Sequence, residues 1–247
     1  MLWKTIWGAL KSPEVIIAVI IFLLALFLVN PLTHILPLDN KYYSDDKFLE
    51  NMLANANTMI FDIAVVLVMN TFLLKIAERR RKIKDYFYEI NDFRGWKSEV
   101  ASRRIRGIIF RLNDLGVTRI NLNNCYLKKA DLSHADLSEA YLSWADLSRA
   151  DLYNASLCGA TLNETNLSGS VLWCANLSKA NLGEANLSKT NFDNANLSRA
   201  NLYKTNLCGA YLVETNFSGA YLHTANLHGI ELSDANFSRA NLQKANL

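Results

Sequence analysis

From Leu122 to Leu247 every fifth residue is Leu, apart from Phe192, Phe217 and Phe237, which makes 26 consecutive positions without an insertion. Two residues before each stands a small side chain: Ala130, Ala135, Ala140, Ala145 and onward, with Thr165, Ser170, Thr190, Thr205 and Thr215 as substitutes. Only Ile120, Cys125 and Ile230 are larger. The position between is Asp early (Asp131, Asp136, Asp146, Asp151) and Asn later (Asn166, Asn176, Asn181, Asn186). Ser commonly follows the Leu, as at Ser133, Ser138, Ser148 and Ser168. A period of five fits neither the 3.6-residue helix nor the two-residue strand. It fits a chain that turns a corner every five residues, with the Leu and the small residue pointing inward. Asn, Asp and Ser suit such corners because their side chains bond to nearby backbone. Four sides close one coil, so residues twenty apart should stack, and the repeats should form about six and a half coils at the β spacing of about 4.8 Å.

The pattern A-[DN]-L-x-x, as in Ala130-Asp131-Leu132-Ser133-His134, resembles the pentapeptide-repeat family. The resemblance covers about half of the chain. It implies a mainly β fold class: a right-handed quadrilateral β-helix, a pentapeptide-repeat solenoid, over residues 117–247. A shared fold does not specify function. Family members often dimerise end to end through their last coil. That resemblance implies a homodimer region at Phe217, Phe237, Leu242 and Leu247.

The N-terminal part reads differently. Ser12-Pro13-Glu14 has the signature of a helix start. Residues 15–29 are apolar and uncharged, and 13–36 is long enough to span about 30 Å of hydrocarbon. A second apolar stretch, 52–76, carries Asp62 and Asn70. With Asn30 on the first stretch, these are the intramembrane polar positions, and such groups are tolerated in lipid when they face a partner. Residues 1–76 are thus expected to form a hairpin of two transmembrane helices. Lys4 and Lys11 precede the first helix, and Lys75, Arg79, Arg80, Arg81, Lys82 and Lys84 follow the apolar core of the second, 59–74. Basic residues flank the cytoplasmic side. This predicts an integral protein of the bacterial inner membrane, with both termini and the repeat domain cytoplasmic and the lipid bilayer as a partner.

Residues 77–116 form the connection. Ile83, Tyr86, Phe87, Ile90 and Phe93 have helical spacing, and Gly95 marks a break. Ser98 is placed to cap a second helix to about residue 112, with Val100, Ile105, Ile108, Ile109 and Leu112 on its apolar side. That face is expected to cover the open edge of the first coil.

Charge excludes some function classes. Residues 1–116 carry a net +4 and 117–247 a net −1. Neither has the extreme charge that marks a nucleic-acid binder. Some members of the resembled family mimic DNA and act on type II topoisomerases, but mimicry needs a strongly acidic surface. Lys128, Lys129, Arg149, Lys179, Lys189, Arg199 and Arg239 interrupt one here.

No nucleophile, base or metal spacing is present, so neither an enzyme nor a cofactor is expected. The four cysteines, Cys125, Cys158, Cys174 and Cys208, have no C-x-x-C spacing and read as free thiols. Register places Tyr153 beside Trp173 on one outer face and Tyr203 beside His223 on another, with Trp144 a further exposed aromatic. Aromatic residues concentrate at binding hot spots, so these five are the candidate interaction residues. The expected function is a membrane-anchored, non-catalytic scaffold presenting the repeat to a cytoplasmic protein. Membrane transport or envelope assembly, and topoisomerase modulation, stand as alternatives.

Overall fold

The computed structural model describes residues 46–246. The chain divides into two compact units, Met1–Lys82 and Ile83–Leu247. Helix α1 runs over Asp46–Phe93 and helix α2 over Glu99–Asp114. Nothing interrupts α1 between the second apolar stretch and the expected linker. No Gly or Pro falls in its 48 residues, and Glu78 pairs with Lys82 one turn on at 2.7 Å. Gly95, at φ +78, provides the break after it.

One stretch among the described residues, Thr58–Phe93, is long and apolar enough to cross a membrane by length and composition. The two-helix hairpin is therefore corrected. The described residues supply one such helix, and the first expected arm, 13–36, lies outside them. The localisation built on that hairpin, an integral inner-membrane protein with cytoplasmic termini, falls with it.

In the second unit, α2 begins at Ser98. Its side chain accepts a hydrogen bond from the Ala101 amide at 3.1 Å, satisfying one orphan donor of the first turn. Ala101, Ile105, Ile108, Ile109 and Leu112 are buried. Val100, expected among them, is exposed because it lies on the opposite side of the first turn. The buried face joins Ile90, Ile120, Leu122 and the inward leucines of the repeat in one apolar cluster.

From Asn121 to Asn226, every residue at the Asn/Asp position of the repeat forms a parallel bridge with the residue twenty ahead, as Asn121 with Tyr141 and Asn176 with Asn196. The amides of Tyr141 and Leu122 show the pattern: Tyr141 donates to Ile120 at 2.9 Å, and Leu122 donates to Tyr141 at 2.7 Å. From Ile120 to Leu227 the Leu and small-residue positions are buried, Leu132 and Ala140 alike at 0% exposure.

The expected fold class needs correction here. No β-strand forms among the described residues, and each pairing is an isolated single-residue bridge. The reason is the corner itself. From each Leu the chain turns at once, with the small residue three on donating back to the Leu carbonyl, as Ala130 to Leu127 at 3.0 Å. Only one residue per side is left extended. The two helices are the only long regular elements among the described residues, so the mainly β quadrilateral β-helix solenoid preceded by two transmembrane helices is not the description the structure carries.

The turn has a further requirement. Its third residue is left-handed at every corner from Asn124 to Lys244, and most occupants are not glycine: Lys129 has φ 56, Trp144 φ 59 and Lys189 φ 57. Gly209 takes the same conformation at φ +66, although a Cβ there would meet only Lys189 Cγ at 3.7 Å. Backbone strain, not lack of space, is what glycine relieves at that corner.

Candidate functional site

The outer faces are built by the same register. The Asn or Asp carboxamide or carboxylate oxygen accepts the amide two residues on, as Asn176 from Ser178 at 3.1 Å and Asp151 from Tyr153 at 2.9 Å. This fixes the backbone of the residue after the Leu wherever an Asn or Asp stands two before it; Tyr153 is held in this way by Asp151, whereas Trp173, at the same position, follows Val171. Their ring centroids lie 5.2 Å apart at a tilt of 44°. His134 adds an edge-on contact to Tyr153 at 5.2 Å, and Asn154 reaches the His134 Nδ1 at 3.1 Å. The result is a three-ring column with Trp173 47% exposed. Asp151 and Val171, two residues before the two larger rings, are exposed beside it.

Tyr203 and His223 also meet, at 5.9 Å. Tyr221 packs with both, 6.3 Å from Tyr203 and 5.8 Å from His223. Lys204 lies over the Tyr203 ring at 5.1 Å. Trp144 is exposed and has no ring partner among the described residues. The twenty-residue rule finds the pairs 153/173 and 203/223 but misses His134 and Tyr221. Both sit at offsets of eighteen or nineteen, where adjacent sites on one side also touch. Ser138 and Ser156, 2.7 Å apart, share that offset of eighteen.

At the other end, Phe217 and Phe237 stack at 4.8 Å and 4°. Phe217 is buried, Phe237 half-buried, and Leu232 and Leu242 are exposed at inward positions that earlier coils bury. Leu247 and Asn30 lie outside the described residues. Asp62 and Asn70 are exposed on α1.

Among the described residues no cluster of three His, Cys, Asp or Glu could hold a metal. Cys125 is buried, and desolvation pushes its thiol up to about 11, with Arg94 opposing. Such a thiol is not poised as a nucleophile. The functional expectations resting on the hairpin and the β-helix are likewise corrected. Neither a membrane-anchored scaffold presenting a cytoplasmic rod nor its transport, envelope-assembly and topoisomerase alternatives follow from the one long apolar helix and the strandless repeat found among the described residues.

A family model described as pentapeptide repeats matches residues 118–152, 135–173, 150–188, 175–212 and 215–247. No curated protein matches the chain. Among solved structures, QnrB1, a plasmid-mediated fluoroquinolone resistance protein, is 24% identical over 49% of this chain and 59% of its own, with a TM-score of 0.42. The chain thus spans less than two thirds of that relative. A pentapeptide repeat protein from the Arabidopsis thaliana thylakoid lumen is 31% identical over 48% of this chain and 73% of its own, with a TM-score of 0.38. HetL, a pentapeptide repeat protein involved in heterocyst differentiation regulation from Nostoc sp. strain PCC 7120, is 27% identical over 57% of this chain and 94% of its own, with a TM-score of 0.25.

Proposed function

Because the chain belongs to the pentapeptide-repeat family, whose proteins are generally structural or regulatory, we propose that it is a recognition protein that holds an arginine-bearing segment of a partner protein on its His134–Tyr153–Trp173 column. The observation that carries this is the column itself: three rings in contact beside exposed Asp151 and Val171. A guanidinium stacks on aromatic faces and pairs with a neighbouring carboxylate, whereas a neutral polar segment would leave Asp151 unanswered. The rings are held by one another, and Tyr153 by the bond of its amide to Asp151, so little side-chain freedom is lost on binding. Selection of a displayed random-peptide library against the full chain tests the reading. Arginine-containing sequences should be enriched. Trp173→Ala should weaken their binding by about 2 kcal/mol, roughly thirty-fold, as expected for a hot-spot aromatic. Enrichment of acidic peptides, or peptides that bind Trp173→Ala unchanged, would refute it.

Self-association is a second reading, favoured by the exposure of Leu232 and Leu242 around half-buried Phe237. A second copy is the occupant whose own apolar edge matches this one. Leu242→Glu should then convert a dimer to a monomer in sedimentation. A wild-type monomer at micromolar concentration would exclude it.

A further inference from the structure

Where α2 meets the first coil, the surface opens into a cavity of about 340 Å³. Glu99, Arg103 and Arg106 from α2 line it, facing Lys128, Lys129 and Asp131 from the repeat. Two of these charges answer each other. Arg106 Nη2 sits 2.9 Å from the Asp131 carboxylate, and its Nε donates to the Asp131 carbonyl at 2.6 Å. The Ser133 hydroxyl donates to the same carboxylate at 2.6 Å. The Ser133 contacts foremost, with Arg106 adding, hold Asp131 below the usual carboxylate range. Asp131 thus stays ionised and committed to Arg106.

That leaves Arg103, Lys128 and Lys129 against Glu99 alone. None of the three forms an ion pair among the described residues. Arg103 spends only its Nε, on the Glu99 carbonyl at 3.4 Å, so its two terminal nitrogens are free to bond a ligand. The walls are fixed relative to one another. Ser102 donates to the Lys128 carbonyl at 3.4 Å, and the Lys129 amide is held by Ser148 at 3.0 Å.

We propose that this cavity binds a phosphate group, clamped between Arg103 and the ammonium groups of Lys128 and Lys129. The excess of two positive charges matches a phosphomonoester dianion. The guanidinium fork and the two point charges suit phosphate oxygens better than the single charge of a carboxylate. The volume exceeds that of a phosphate ion, leaving room for the group that carries it. Glu99 on the rim disfavours a second phosphate beside the first, because like charges at close range repel.

A free phosphomonoester and a phospholipid headgroup share this chemistry, and one titration series separates them. The full chain in a non-ionic detergent is titrated with inorganic phosphate, with glycerol 3-phosphate, and with mixed micelles carrying phosphatidic acid or phosphatidylcholine. Saturable binding of the soluble phosphates points to a small ligand. Binding confined to phosphatidic acid micelles points to a headgroup. Either supports the site, provided that Arg103→Gln and Lys129→Gln each weaken it tenfold or more and Lys129→Arg retains it. Arg104→Gln, on the same helix but outside the cavity, is the control. Thermal midpoints equal to wild type establish that the variants fold. No binding in any arm, or losses as large in Arg104→Gln as in Arg103→Gln, overturns the proposal.

Discussion

Phe192→Ala is expected to lower the free energy of unfolding by about 3–5 kcal/mol, the cost of removing a buried aromatic side chain and leaving a cavity. Phe192 is wholly buried, and Leu172 and Leu212 precede and follow it in the interior column. Its backbone carries as much as its ring. The Phe192 amide donates to Tyr211 at 2.9 Å, and its carbonyl accepts from Ala195 at 2.7 Å and from the buried Thr215 hydroxyl at 2.9 Å. A collapse around the lost ring would therefore disturb the coil on the C-terminal side as well. Repeat architectures hold each unit only through its neighbours, so a weak coil can uncouple those on either side. Urea denaturation should show the loss in stability. Hydrogen exchange should show faster exchange at Phe192, Tyr211 and Asn216 than at Leu132, several coils away. A loss below 1 kcal/mol, or an even rise in exchange through all coils, would show that the column is not packed as a chain of nearest neighbours.

The interior was the most legible part of the chain, because a Leu every fifth residue admits one inward face whatever the backbone does between. The absence of strands was not legible from it. Counting residues gives the period, but how many of the five are spent on the turn depends on a left-handed residue that carries no sequence mark. Lys129, Trp144, Glu164 and Arg199 fill that position as readily as Asn154. The Asn and Asp that drew attention as turn formers do serve the corner, yet from two residues before the site they brace. The candidate surface was half legible for a related reason. Stacking by twenty reveals pairs along one column, whereas Tyr221 reaches Tyr203 across two columns. The cavity beside Lys128 and Lys129 needed the packing of α2, because Arg103 and Arg104 look alike in sequence and only one lines it.

The bridges themselves are tested by Asn196→Pro, which is expected to cost about 3 kcal/mol, while Asn196→Ala costs about 1 kcal/mol. Asn196 contacts the neighbouring coils through both its backbone and its side chain, and its side chain also braces its own corner. Its backbone amide donates to the Ala175 carbonyl at 2.9 Å, and its carbonyl accepts from Leu177 at 2.8 Å. Its carboxamide donates to the Asn176 oxygen at 3.4 Å and accepts from Asn216 at 3.4 Å and from the Ser198 amide at 3.0 Å. Alanine removes only the second set, two of whose members are long and therefore weak. Proline also removes the amide, and buried Ala175 is left with an unanswered carbonyl. All three prolines of the chain lie at 13, 31 and 37, none in the repeat, as expected where every coil needs this donor. Measured by urea denaturation, equal losses in the two variants would assign the cohesion between coils to the asparagine side chains. The expected gap of about 2 kcal/mol assigns it to single backbone bridges, each one residue long, repeated at every side of every coil.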